Sequence, residues 1–132
     1  MLKARVATGA TYTLVLVLTV ELALWESFLV AARPFGIALP VSAVLAVVGN
    51  VVLGRAGARV LQRPLGAVIP GVLWLAIVLR LGTGQPGGDR IVPGTFRGLA
   101  FLLAGTIAGA AVIGTTGSRG TGSATPEGPE RR

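Results

Sequence analysis

Four long apolar runs, separated by short polar or Gly/Pro-rich segments, account for most of this chain. Each run is about as long as a helix must be to cross a hydrocarbon core of roughly 30 Å. Charged residues are concentrated between the runs, which is the pattern of membrane-spanning helices rather than of amphipathic surface helices. The pattern therefore predicts four transmembrane helices, over residues 10–32, 35–54, 65–81 and 97–114.

These four predicted helices define the expected fold class, an all-α polytopic membrane protein with four transmembrane helices in an antiparallel bundle. Residues 1–114 form one transmembrane domain in this interpretation. Residues 115–132, TTGSRGTGSATPEGPERR, are expected to be a disordered cytoplasmic tail, because they have no apolar periodicity and few groups to bury.

The composition agrees with a membrane protein and argues against an enzyme. Hydrophobic residues make up 52% of the chain and charged residues only 13%, against about 25% in a soluble domain. The chain has no Cys and no His, so it lacks the commonest metal ligand and the commonest general base. No catalytic sequence motif is present. We expect no catalytic residues, no cofactor and no metal site.

The net charge of +7 comes from basic residues that flank the apolar runs. This placement indicates topology signals and lipid-headgroup contacts, not nucleic-acid binding. Four spans place both termini on one side, where eight of the 12 basic residues would lie. The expected location is the cell membrane, multi-pass, with cytoplasmic N and C termini. Arg55, Arg59 and Arg63 are candidate lipid-headgroup contacts, and the alternative is that they only set topology.

Glu21 lies near the middle of the first apolar run, where a carboxylate is costly unless it is protonated, paired or hydrated. We expect its side chain to point into the bundle. Counting the helical rise places it level with Thr106 and near Ser42, which would be neutral hydrogen-bond partners. Glu21 is therefore a candidate proton or cation site, and the alternative is a hydrogen-bonded packing residue.

Glu26 lies a turn and a half beyond Glu21, and it is also expected to face the interior. In the predicted topology, Glu26 and Arg80 of the third span reach similar depths. They are therefore a candidate intramembrane ion pair, with Arg33 as the alternative partner of Glu26. Either pairing would remove the need for an isolated charge at that depth.

Small residues are spaced for close helix packing in two of the runs. Gly105 and Gly109 form a GxxxG pair in the fourth run. Asn50 in the second run could form a hydrogen bond across a helix contact. The predicted contact face of that run has positions spaced by three or four residues: Gly36, Pro40, Ala43, Val47, Asn50 and Gly54.

Four short spans with Glu21 in the first resemble the small multidrug resistance transporters, and Trp74 matches a tryptophan in the third helix of that family. The resemblance implies that Glu21 would exchange protons for cations. The chain departs from the family in Glu26, Arg80 and the long loop before the fourth span. The whole chain looks more like the small, uncharacterised four-span membrane proteins of GC-rich Gram-positive bacteria, a resemblance that implies no activity.

Two function hypotheses follow from these features. The first is a non-enzymatic integral membrane protein that serves as an accessory subunit of a larger membrane complex. The second is a small proton-coupled transporter that acts as an oligomer, with Glu21 as the proton or cation site. The expected partners are membrane lipids, together with other membrane proteins or further copies of this chain in a homo-oligomer.

Overall fold

The computed structural model describes residues 1–31, 41–83 and 95–117, and it confirms an all-α bundle of four helices. The helices are α1 (Leu2–Ala31), α2 (Val41–Leu61), α3 (Leu65–Gly82) and α4 (Phe96–Gly117). Each helix is long and apolar enough to cross a membrane. The predicted tail beyond Gly117, and the candidate partner Arg33, lie outside the described residues.

The helices extend beyond several of the predicted limits. α1 includes the basic N-terminal segment from Leu2 onwards, and α4 continues to Gly117. α2 continues through the arginine-rich segment to Leu61, seven residues past the predicted end of the second span at residue 54. The sequence has no proline there until Pro64, so nothing stops the helix where the apolar run ends.

The middle of the bundle is formed by α2 and α3, each of which packs against all three other helices. α1 and α4 make little contact with each other, so they lie at opposite corners of the bundle. The apolar core contains Ala23, Val30, Ala46, Trp74, Val78 and Phe101. The Trp74 and Phe101 rings meet edge to face, with centroids 5.4 Å apart and planes at 64°.

The buried face of α2 consists of small or polar residues: Ser42, Ala46, Gly49, Asn50, Gly54 and Gly57. The sequence prediction included Asn50 and Gly54 in this face. It also named Ala43 and Val47, each of which directly follows a residue that is buried, Ser42 and Ala46 respectively. Ala43 is only half-buried and Val47 is 38% exposed. Small side chains let the neighbouring helices approach closely, and the larger Val47 side chain lies at the edge of the contact face.

The turn between α2 and α3 brings these two helices into backbone contact. A Cβ atom on Gly57 would overlap the carbonyl oxygen of Gly66, and one on Gly66 would overlap the Gly57 carbonyl. Pro70 lacks an N–H group, so it cannot donate to the carbonyl of Gly66 four residues earlier. The Tyr12 hydroxyl of α1 donates to that carbonyl instead, at 3.4 Å.

Candidate functional site

The carboxyl group of Glu26 is the most deeply buried acidic group among the described residues. Glu26 is 0% exposed and lies where α1 meets α2 and α3. The indole Nε1 of Trp74 donates a hydrogen bond to Glu26 Oε2 at 2.8 Å. Trp74 is itself 1% exposed, so this bond lies inside the bundle and joins α1 directly to α3.

The predicted ion pair between Glu26 and Arg80 is wrong. Arg80 is exposed near the end of α3, and its guanidinium donates to the Thr83 hydroxyl at 3.4 Å. Six residues separate Trp74 from Arg80, which rotates the side chain by about 120° away from the face that meets Glu26. The prediction placed Glu26 and Arg80 at similar depths, and α1 and α3 are in contact as it expected. Depth along the membrane, however, does not determine which face of a helix a residue occupies.

Glu26 Oε1 is buried and has no hydrogen-bond partner in the described part of the chain. Gly49 of α2 lies beside it, and a Cβ atom on Gly49 would come within 3.1 Å of Oε1. The same Cβ would overlap the Leu22 side chain, so Leu22 and Glu26 pack directly on the α2 backbone. One oxygen of this carboxyl therefore retains unused hydrogen-bonding capacity in an apolar interior, an arrangement that costs about 1–3 kcal/mol.

Glu21 does not point into the bundle, so the prediction of an interior site is wrong for this residue. It is exposed on the outer side of α1 and forms no hydrogen bond with Thr106 or Ser42. Its neighbours on that side are large and apolar, and they are also exposed: Leu14, Val17, Leu18, Leu24, Trp25 and Phe28. A single copy of the chain thus presents this carboxyl to its surroundings rather than enclosing it.

Asn50 lies at the base of a groove between α3 and α4. It is 6% exposed, and its Nδ2 donates to the Ala46 carbonyl of its own helix at 3.0 Å, rather than across a helix contact as predicted. Its Oδ1 faces Gly109 and accepts no hydrogen bond in the residues described. The groove encloses about 140 Å³ and is lined by small and apolar groups, with Thr106 on its rim: Gly71, Val72, Trp74, Leu75, Gly105, Gly109, Ala110 and Ile113.

The three candidate headgroup residues, Arg55, Arg59 and Arg63, line one open pocket of about 450 Å³ at the α2–α3 turn. Residues four apart share a face of a helix, which explains the alignment of the first two. Arg63 lies in the turn between α2 and α3 and lines the same pocket. The remaining lining comes from the turn and from the end of α4: Ala58, Gln62, Pro64, Thr115 and Thr116.

Trp74 is the hydrogen-bond partner of Glu26 that the sequence interpretation missed, because that interpretation linked Trp74 only to a family resemblance. Tyr12 was also missed. The signal for Tyr12 was the proline four residues after Gly66, which predicts a free carbonyl but not the group that binds it. Within residues 1–31, 41–83 and 95–117, no group of three His, Cys, Asp or Glu residues is placed to hold a metal ion.

Comparison with known proteins adds no assignment to this geometry. No family model, no curated protein and no solved structure matches the chain.

Proposed function

We propose that this chain is a non-enzymatic, multi-pass protein of the cell membrane that serves as an accessory subunit of a larger membrane complex. The observation that carries the proposal is the outward position of Glu21 in the middle of a membrane-spanning helix. A carboxyl group facing lipid at that depth would have no polar partner, and intramembrane acidic residues normally face protein or water. Another polypeptide covering this side of α1 would supply the missing partner.

The partner that suits Glu21 is a transmembrane helix with a hydrogen-bond donor or a cationic side chain at the same depth. The apolar residues around Glu21 would pack against that helix, and the carboxyl would bind its polar group. Such a contact orients the two chains, because only one register brings the polar groups together.

The α3–α4 groove supports the same proposal from the opposite side of the bundle. Asn50 is 6% exposed there and its Oδ1 accepts no hydrogen bond among the described residues, and small residues leave room for a close helix approach. Leu22 packs against Gly49, so Glu21 and Asn50 lie at similar levels. A complex that covered both surfaces would satisfy both unpartnered groups within one layer of the membrane.

The non-enzymatic part of the proposal rests on composition and on the site. The chain has no His and no Cys. The buried carboxyl of Glu26 opens onto none of the pockets described above, which lie at the α3–α4 groove and at the α2–α3 turn. A structural role in joining α1 to α3 accounts for the Glu26 contacts without a substrate.

The proposed orientation places both chain ends and the α2–α3 turn in the cytoplasm, following the Lys/Arg distribution. Because the chain has no native cysteine, single-cysteine variants report orientation directly. In intact cells, an impermeant maleimide should label Thr83→Cys, beyond the far end of α3, and should label Gln62→Cys only after permeabilisation. The reverse pattern would require the opposite orientation.

The subunit proposal predicts a specific crosslink on the Glu21 side of α1. A photoreactive residue at Val17, 50% exposed beside Glu21, should capture one defined protein in the native membrane. A photoreactive residue at Val48 of α2, 53% exposed and outside both proposed contact surfaces, is the matched control and should capture no protein. Glu21→Leu should reduce the Val17 crosslink several-fold, because it removes the polar contact while keeping the surface apolar.

Several outcomes separate this proposal from its alternatives. Capture of a second copy of the chain would identify the complex as a homo-oligomer. Capture of lipid alone at Val17 would contradict the subunit proposal. Proton flux in proteoliposomes that is abolished by Glu21→Gln would favour the transporter hypothesis, whereas the subunit proposal expects equal flux for Glu21→Gln and the native chain.

A further inference from the structure

Three guanidinium groups line the pocket at the α2–α3 turn, and none of them has an acidic partner among the described residues. The only acidic residues in the described part of the chain are Glu21 and Glu26, and both lie on α1. Arg55, Arg59 and Arg63 form no ion pair with either. The pocket therefore concentrates positive charge that the described residues do not neutralise.

From this arrangement we propose that the pocket binds a phosphate-bearing anion, held by the guanidinium groups of Arg55, Arg59 and Arg63. Guanidinium donors form a planar fork that matches two phosphate oxygens, and several forks around one pocket can engage one phosphate group. The pocket volume of about 450 Å³ leaves space for the group that carries the phosphate. This inference is independent of the proposed subunit role, since it concerns another surface.

The helix ends near the pocket carry partial charges of both signs, and the three arginines add full positive charges. α2 and α4 both end beside the pocket, and each helix C-terminus carries roughly half a negative charge. α3 begins there, directly after Pro64, and its N-terminus carries roughly half a positive charge. Three full positive charges and the α3 N-terminus outweigh the two partial negative charges. The pocket therefore attracts anions even before any specific hydrogen bond forms.

The backbone at Gln62 ends α2 and shapes the turn that carries the pocket. Gln62 directly follows α2 and has a φ angle of 52°, a conformation in which glycine is the unstrained residue. Its side-chain amide donates to the Arg59 carbonyl and lines the pocket. A left-handed residue directly after a helix is a common way for a helix to end, so Gln62 contributes the course of the turn and one side of the pocket.

The phosphate could belong to an anionic lipid headgroup or to a soluble molecule, and both would use the same donors. The pocket lies at the ends of α2 and α4, both long enough to cross a membrane, so it is at the level where headgroup phosphates are found. The experiment therefore measures phosphatidylglycerol, phosphatidylcholine and inorganic phosphate separately. These probes are compared on the purified full chain in a non-ionic detergent at fixed ionic strength, because salt screens exposed charges.

The expected result is binding of phosphatidylglycerol that is at least about tenfold tighter than binding of phosphatidylcholine. Replacing all three pocket arginines by glutamine should weaken phosphatidylglycerol binding at least about tenfold, through loss of charge-assisted hydrogen bonds. Arg5→Gln is the matched control, because it removes one exposed charge from the same end of the bundle outside the pocket. It should change the apparent Kd by less than about twofold.

A variant with all three arginines replaced by lysine keeps the topology signal and removes the guanidinium forks. It should insert in the native orientation and bind with an affinity between those of the native chain and the glutamine variant. Tight binding of inorganic phosphate as well would assign the pocket to phosphate groups in general. The proposal is overturned if no probe binds, if the glutamine variant binds as the native chain does, or if Arg5→Gln causes an equal loss.

Discussion

Trp74→Ala is expected to lower the free energy of unfolding by about 3–5 kcal/mol, the cost of removing a large buried aromatic side chain. Trp74 is 1% exposed, packs edge to face on Phe101 and donates to Glu26. The substitution leaves a cavity between α3 and α4 and also removes the only hydrogen bond that the Glu26 carboxyl accepts among the described residues. Reversible unfolding in detergent, followed by circular dichroism, measures the loss.

A double-mutant cycle separates the hydrogen bond from the packing. Trp74→Phe keeps most of the aromatic contact but leaves both Glu26 oxygens unpaired, at an expected cost of about 1–3 kcal/mol. In the Glu26→Leu background, the same Trp74→Phe change should cost much less, because no carboxyl remains to be stranded. Equal costs in the two backgrounds would show that the hydrogen bond contributes nothing to stability.

Arg80→Gln is the control for the Glu26 site. Arg80 is exposed and its guanidinium donates only to Thr83 in the described structure, so we expect a change within about 0.5 kcal/mol. A loss comparable to that of Trp74→Phe would restore the ion pair that the sequence suggested and would contradict the geometry.

Gly57→Ala is expected to be the other strongly destabilising change, by about 1–3 kcal/mol or more. A Cβ atom at Gly57 would overlap the Gly66 carbonyl oxygen and would come within 3.0 Å of its carbonyl carbon. These are backbone atoms, so no side-chain rotation can relieve the overlap, and α2 and α3 must move apart. The shift would also disturb the Tyr12 hydrogen bond to Gly66.

Gly71→Ala is the matched control, because it makes the same substitution within a helix of the same bundle. A Cβ atom at Gly71 meets nothing within 4 Å. Alanine favours helix over glycine by roughly 0.5–1 kcal/mol, so this variant should be slightly more stable. The two variants should therefore change the midpoint of thermal unfolding in opposite directions. A stabilising effect of Gly57→Ala would mean that the α2–α3 crossing is looser than described.

The sequence alone determined the fold class and the approximate positions of the four helices. Hydrophobic runs of spanning length, with most of the charged residues between them, leave no other regular structure that satisfies the backbone in lipid. The arginines near the α2–α3 turn were also identifiable as candidate headgroup contacts, because they directly follow the second apolar run.

Only the tertiary structure decided which carboxyl is buried and what binds it. Both glutamates lie on one apolar helix, and the hydrophobicity of α1 is nearly uniform around its axis, so the sequence contained no signal for the face that meets α2 and α3. Helical rise gives depth along the membrane but not rotation about the axis. That rotation buries Glu26 against Trp74, turns Glu21 outward and leaves Arg80 at the surface. It is determined by close contacts at glycines such as Gly49 and Gly57, and those contacts exist only once the helices are packed together.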